Sequence, residues 1–309
     1  MRLQSKDLLG LRETSSEDIA LILETAASMK HVLSANSKKT THLQGKSVIT
    51  LFYENSTRTR LSFEMASKFM GAASANIAST GSSVGKGETL IDTARTIDSM
   101  STDILIMRHG QSGAPHAIAP HLHASVINAG DGMNEHPTQA LLDMFTMQEK
   151  KGRIQGLEVA IVGDLAHSRV LRSNLYGLTK MGAHVRVAGA ATLMPPGLDR
   201  MGARVCRSVR EACEGADVVM ALRLQLERQK SAMFPSISEY AAFYAVDKAA
   251  MAAAAPDALV MHPGPCNHGV EMPTSVYDSA QSVINEQVTN GVAVRMAVMY
   301  LLIARRNEA

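Results

Sequence analysis

KSVITLF (Lys46–Phe52) runs directly into YENSTRTR (Tyr53–Arg60). The apolar run is short and lacks polar alternation, so it reads as a strand buried on both faces, as in a parallel sheet. The hydroxyl residues that follow open a helix predicted over Thr57–Met70. Working outward, the same alternation recurs. Upstream, Thr14-Ser15-Ser16-Glu17 has the form of a capping box for a helix reaching about Leu33, and the polar Ala35–Thr41 is a loop. Downstream come a strand at Ala73–Ala78, a helix at Glu88–Met100, and strands at Asp103–Met107 and Ala124–Asn128. A helix at Thr138–Lys150 closes this half.

At Lys150–Gly156 (KKGRIQG) the composition turns polar and glycine-rich, and then the alternation restarts. Strands are predicted at Glu158–Val162, His184–Ala188, Asp217–Ala221 and Ala258–Met261, with helices at Ser168–Met181, Ser208–Glu214 and Ser236–Tyr240. A last apolar helix covers Val292–Ala304. A chain of 309 residues exceeds the roughly 250–300 at which single cores stop growing. The expectation is an α/β protein of two tandem domains, each a parallel sheet flanked by helices. These are residues 1–150 and 151–289, with a helix at 290–309 packing back on the first and the active site in the cleft between them.

A formal net charge of +2 offers no basic field for nucleic acid, so any anion site must be built from a few placed cations. Cys206, Cys213 and Cys266 show neither a CxxC pair nor metal-ligand spacing. That pattern points to a reducing, cytoplasmic setting without a disulfide framework or a metal. No apolar run approaches the ~20 residues of a membrane span, and the start MRLQSKDLLG carries no secretory signal. No G-x-G-x-x-G is present, and no cofactor is expected.

In parallel α/β sheets ligands bind beyond the carboxyl ends of the strands. In the first half those ends carry Ser56-Thr57-Arg58-Thr59, then Arg108-His109-Gly110, then His136-Pro137-Thr138-Gln139. An isolated S-T-R-T is a helix cap followed by a surface arginine. Here its strand–loop–helix setting and the arginine at a second strand end point to an anion site. His136 and Gln139 stand three apart on one helix face, placed to hydrogen-bond a carbonyl oxygen and an amide. In the second half the strand ends supply Arg169, then Arg223-Leu224-Gln225, then His262-Pro263-Gly264-Pro265. Paired arginines suit a dicarboxylate.

Six ordered motifs resemble catalytic chains of the aspartate/ornithine carbamoyltransferase family. They are FYENSTRTR (Phe52–Arg60), SSVGKGET (Ser82–Thr89), HPTQ (His136–Gln139), GDLAHSRV (Gly163–Val170), RLQ (Arg223–Gln225) and HPGP (His262–Pro265). STRT with HPTQ resembles transcarbamoylases generally, and the remaining motifs are similar to the aspartate branch. This resemblance implies that Ser56, Thr57, Arg58 and Thr59 bind the phosphate of carbamoyl phosphate. Arg108, His136 and Thr59 would reach its carbonyl oxygen and Gln139 its amino group. Arg169, Arg223 and Gln225 would hold L-aspartate, with the carbonyls of Gly264 and Pro265 nearby. Ser83 and Lys86 would enter a neighbouring subunit's site, which implies a homotrimer. The further partners it suggests are a regulatory chain or a dihydroorotase of pyrimidine biosynthesis. His268 departs from the pattern, standing where arginine is commoner.

Two rival readings stand beside this one, and only the first, an ornithine carbamoyltransferase, shares the first-half chemistry. An ornithine enzyme would want an acidic partner for a side-chain ammonium, whereas Arg223–Lys230 holds Arg223, Arg228 and Lys230 against Glu227 alone. A silent homologue acting as a structural partner would be expected to lose cleft cations, yet Arg58, Lys86, Arg108, Arg169 and Arg223 are all present.

Overall fold

The computed structural model describes residues 2–78, 88–226 and 233–307. Helix α1 (Ser16–Ser34) precedes β1 (Ser47–Phe52), α2 (Thr57–Phe69), β2 (Ala73–Ala78), α3 (Leu90–Asp98) and β3 (Ile104–His109). Then follow α4 (Ala114–Ile118), β4 (Ser125–Asp131) and α5 (Pro137–Lys151). The second half holds β5 (Glu158–Val162), α6 (Arg169–Lys180), β6 (His184–Ala188), β7 (Ala203–Val205), α7 (Val209–Cys213) and β8 (Val218–Ala221). It ends with α8 (Ile237–Tyr244), α9 (Lys248–Ala253), β9 (Leu259–Met261), α10 (Thr274–Tyr277) and α11 (Ile284–Asn307).

The strands form two parallel sheets, ordered β2-β1-β3-β4 and β7-β6-β5-β8-β9. The chain divides into two compact units, Met1–Leu142 with Thr289–Ala309, and Asp143–Val288. The division therefore falls inside α5 and inside α11, and the polar stretch Lys150–Gly156 covers the end of α5 and the approach to β5. In the first unit Leu51, Leu105, Met107 and Val126 pack with α3 and α4 residues such as Ile97 and Ile118. In the second, Val162, Val219 and Val260 pack with Val209, Cys213 and Ala250.

Several expectations need correction. The cap of α1 is Ser15, which accepts from Asp18 N, while the Thr14 hydroxyl turns back to donate to Gly10 O. The motif is one residue out because Ser15-x-x-Asp18 offers the same pairing as Thr14-x-x-Glu17. Strand β3 continues through Arg108 and His109, since Phe52 and Arg108 are paired across the sheet. Helix α9 lies in an alanine-rich stretch for which no helix was expected, and it is capped by Asp247 accepting from Ala250 N. Helix α11 is longer than expected at 24 residues, and by length and composition it is apolar enough to span a membrane. Of its most apolar window, 72% is buried within the protein, which is the condition of a core helix. Its C-terminal part belongs to the first unit, where the Arg295 guanidinium lies 5.0 Å from the centre of the Phe63 ring.

Candidate active site

Both sheets reverse their winding next to their first strand. In the first, the chain passes from β1 to β2 on one side and then to β3 on the other; in the second, it passes from β5 to β6 and β7, then to β8. Crevices at such reversals, beyond the carboxyl ends of the strands, are where open parallel sheets bind ligands. In the first unit the loop Tyr53–Ser56 and the end of β3, Arg108–His109, lie there, and in the second the loops Gly163–Ser168 and Leu222–Gln225.

At the first crevice Ser56 caps α2, its hydroxyl accepting from Thr59 N at 3.3 Å. The cap leaves the first-turn N–H groups at a helix end that carries partial positive charge and no acidic residue. Thr57 and Arg58 are exposed there, and Thr59 is buried. Arg108 is 9% exposed; its Nη1 donates to Ala129 O at 3.2 Å, and its Nη2 meets Glu54 Oε1 at 3.0 Å. Tyr53 N donates to Arg108 O, and Gly132 N to His109 O, so the ends of β1, β3 and β4 are joined. The loop after β4 is pinned by the fully buried Asp131, which accepts from Gly113 N, Asn134 Nδ2 and Glu135 N. That loop delivers His136 and, one turn into α5, Gln139, both buried. At the end of β3 His109 accepts from Gln111 N at Nδ1, and burial pushes its pKa down.

At the second crevice Gly163 adopts φ +131°, and a Cβ there would sit 2.6 Å from Leu222 O. Glycine is required because the β5 and β8 ends approach so closely. Asp164, fully buried, accepts from His167 N at 3.1 Å, from Gln225 N at 3.2 Å, and sits 2.9 Å from His167 Nδ1. Gln225 Nε2 returns a hydrogen bond to His167 O. These bonds fix the loop that ends at Ser168, the cap of α6, and so place Arg169 at the helix's first position, 5% exposed. Arg223 is half-buried on the adjoining loop. Glu271, 2% exposed, ties that loop to the proline-rich one, accepting from Leu224 N at 2.7 Å, Asn267 N at 2.6 Å and Asn267 Nδ2 at 2.7 Å.

Thus Ser56, Thr57, Arg58, Thr59, Arg108, His136 and Gln139 gather at the strand ends of the first unit. Arg169 at the start of α6, and Arg223, Gln225, Gly264 and Pro265 in loops, belong to the second. Ser83 and Lys86, like Glu227, Arg228 and Lys230, lie outside the described residues. The exposed His268 packs edge-on against Tyr277, ring centres 4.6 Å apart. Sequence reasoning missed the acids: Glu54, Asp164 and Glu271 had no role assigned, although the first two sit inside quoted motifs. Their signal was an acid amid cations at a strand end.

Among the described residues, His262, Cys266 and Glu271 bring atoms able to hold a metal within 4.8 Å of one another. Each is already engaged. His262 Nδ1 accepts from Gly264 N, and both Glu271 oxygens accept backbone and amide donors. Burial and Glu271 push the Cys266 thiol up to about 12. The set ties loops together.

Comparison with known proteins gives concordant results. Residues 6–149 match the family model described as the aspartate/ornithine carbamoyltransferase carbamoyl-P binding domain, and residues 155–302 match the Asp/Orn binding domain. The aspartate carbamoyltransferase catalytic subunit of Ruminiclostridium cellulolyticum is 65% identical over 305 residues, covering 99% of this chain and 97% of that protein. A crystal structure of aspartate transcarbamoylase from Trypanosoma cruzi, in complex with carbamoyl phosphate and aspartate, superposes with a TM-score of 0.88. It is 32% identical and covers 96% of this chain and 97% of that one. Ornithine carbamoyltransferase from Pyrococcus furiosus superposes with a TM-score of 0.87 at 30% identity, covering 97% and 98%. With both sheets, both crevices and the ordered motifs in agreement, the chain belongs to the aspartate/ornithine carbamoyltransferase family.

Proposed function

We propose that the chain transfers the carbamoyl group of carbamoyl phosphate to the amino group of L-aspartate, giving N-carbamoyl-L-aspartate and phosphate for pyrimidine biosynthesis. The observation that carries this is the 65% identity to an aspartate carbamoyltransferase catalytic subunit, in a chain that carries every candidate site residue named above. Fold alone does not choose the amino acid, because the aspartate and ornithine structures superpose almost equally well.

In this reading the phosphate sits at the start of α2 on Ser56, Thr57, Arg58 and Thr59. The dipole there is worth about 0.3–1 kcal/mol, whereas a hydrogen bond to a charged partner is worth about 1.5–3 kcal/mol, so Arg58 outweighs the helix end. The neutral aspartate amine attacks the carbonyl carbon. Negative charge grows on the carbonyl oxygen, where Arg108, His136 and Thr59 donate; loss of one such donor typically costs about 10²–10³ in rate. Gln139 takes the carbamoyl amino group. Arg169, Arg223 and Gln225 hold the two carboxylates, and the carbonyls of Gly264 and Pro265 complete the acceptor side. Phosphate leaves with Arg58 and Lys86 balancing its charge, and it accepts the proton lost by the amine. Holding both substrates together contributes up to roughly 7–11 kcal/mol. Residues 1–150 with the returning C-terminal helix would bind carbamoyl phosphate and 151–289 would bind aspartate, with Ser83 and Lys86 supplied by a neighbouring copy in a homotrimer. Three cysteines without a disulfide fit a cytoplasmic enzyme.

The test is an assay of phosphate release from carbamoyl phosphate with aspartate or ornithine as acceptor. Aspartate-dependent release supports the proposal. Preference for ornithine, or no release with either, overturns it.

A further inference from the structure

Asp143 belongs to none of the motifs, yet it is fully buried in α5 and takes two amide donors. Gln287 Nε2 donates to its Oδ1 at 2.7 Å, and Asn174 Nδ2 to its Oδ2 at 2.9 Å. Gln287, 3% exposed in the first turn of α11, uses its other end to accept from His262 N at 3.0 Å. His262 Nδ1 in turn accepts from Gly264 N at 2.8 Å. All these residues lie in the second unit.

The chain of bonds has a direction. An ionised carboxylate only accepts, so it can face only the NH2 end of the Gln287 amide. The amide's oxygen is thereby turned toward His262 N, and the reverse orientation would place NH2 against a backbone N–H. One carboxylate thus dictates the start of the His262–Pro265 loop. Asn174 occupies the second oxygen from α6, the helix that begins with Arg169. An apolar side chain at 143 would fill the same space without setting that orientation.

We infer that Asp143 is a positioning residue for the acceptor amino acid, acting through Gln287 and His262 on the Gly264 and Pro265 carbonyls; this rests on the function proposed above. The experiment uses full-length enzyme and compares wild type, Asp143→Asn, Gln287→Met and the double variant Asp143→Asn/Gln287→Glu. In Asp143→Asn an NH2 group faces one of the two amide donors, and about a tenfold rise in KM for aspartate is expected, with KM for carbamoyl phosphate within about twofold of wild type. Gln287→Met, which breaks the relay without adding a donor, gives the same selective rise and serves alone should Asp143→Asn fail to fold. In the double variant the amide introduced at position 143 accepts from Asn174 and donates to the carboxylate introduced at position 287. That carboxylate still accepts from His262 N. Recovery to within about threefold of wild type is expected, since each bond is remade. Variants that lose thermal stability with no selective KM change, or a double variant no better than Asp143→Asn, overturn the relay while leaving the function intact. A wild-type enzyme inert toward aspartate overturns the function and this inference with it.

Discussion

Helices α2 and α6 start alike and are supported differently. Each follows a strand at a crevice, each is capped by a serine, and each has an arginine in its first turn. At α2 the arginine, Arg58, is exposed, and the adjoining Glu54 has a side chain 27% exposed. At α6 the arginine, Arg169, is 5% exposed, and the loop before it hangs on the fully buried carboxylate of Asp164. The difference follows from the ligands proposed for them. A phosphate is compact and densely charged, so a helix end and an accessible cation bind it without much scaffolding. A dicarboxylate amino acid needs two arginines held at a set spacing, and that geometry must be built before the ligand arrives. Buried acids accepting backbone N–H groups build it.

Four variants would break or sharpen this contrast. Arg58→Ala should produce the largest effect, a loss of about 10³ in kcat/KM. Its melting temperature should stay that of wild type, because the side chain is exposed; steady-state kinetics beside a thermal melt checks both. Asp164→Ala should do the opposite, costing about 3 kcal/mol of stability by chemical denaturation, because buried donors at His167 and Gln225 lose their acceptor. Arg223→Lys should raise KM for aspartate about tenfold with carbamoyl phosphate saturation unchanged, as a point charge replaces a planar fork. Glu54→Gln should be mildest. It keeps a hydrogen bond to Arg108 while removing the charge of a largely buried ion pair, and a few-fold change in KM for carbamoyl phosphate is the expected limit.

The sequence disclosed the first unit's site better than the second's, for the same physical reason. Apolar runs such as Lys46–Phe52 and Glu158–Val162 mark parallel strands, and hydroxyls beside a cation at their ends mark anion chemistry. Arg58, Arg108 and His136 were therefore visible as types in a place. Arg108 was read as lying beyond β3 because a charged residue looks like a strand's end; pairing with Phe52 keeps it in the strand, where Glu54 neutralises it. The scaffolding was not visible. Asp143, Asp164 and Glu271 look like ordinary surface acids until folding surrounds them with amide donors. Strand β7 escaped notice because Arg204 and Val205 are exposed and its three residues carry no apolar run. Helix α9 was hidden in an alanine run that offers no periodicity.

The most direct measurement is a crystal structure with a bisubstrate analogue that carries one phosphonate and two carboxylates. The phosphonate is expected on Ser56, Thr57, Arg58 and Thr59, with the carboxylates reached by Arg169 and Arg223. A phosphonate bound away from the start of α2, or carboxylates out of reach of both arginines, would contradict the proposed function.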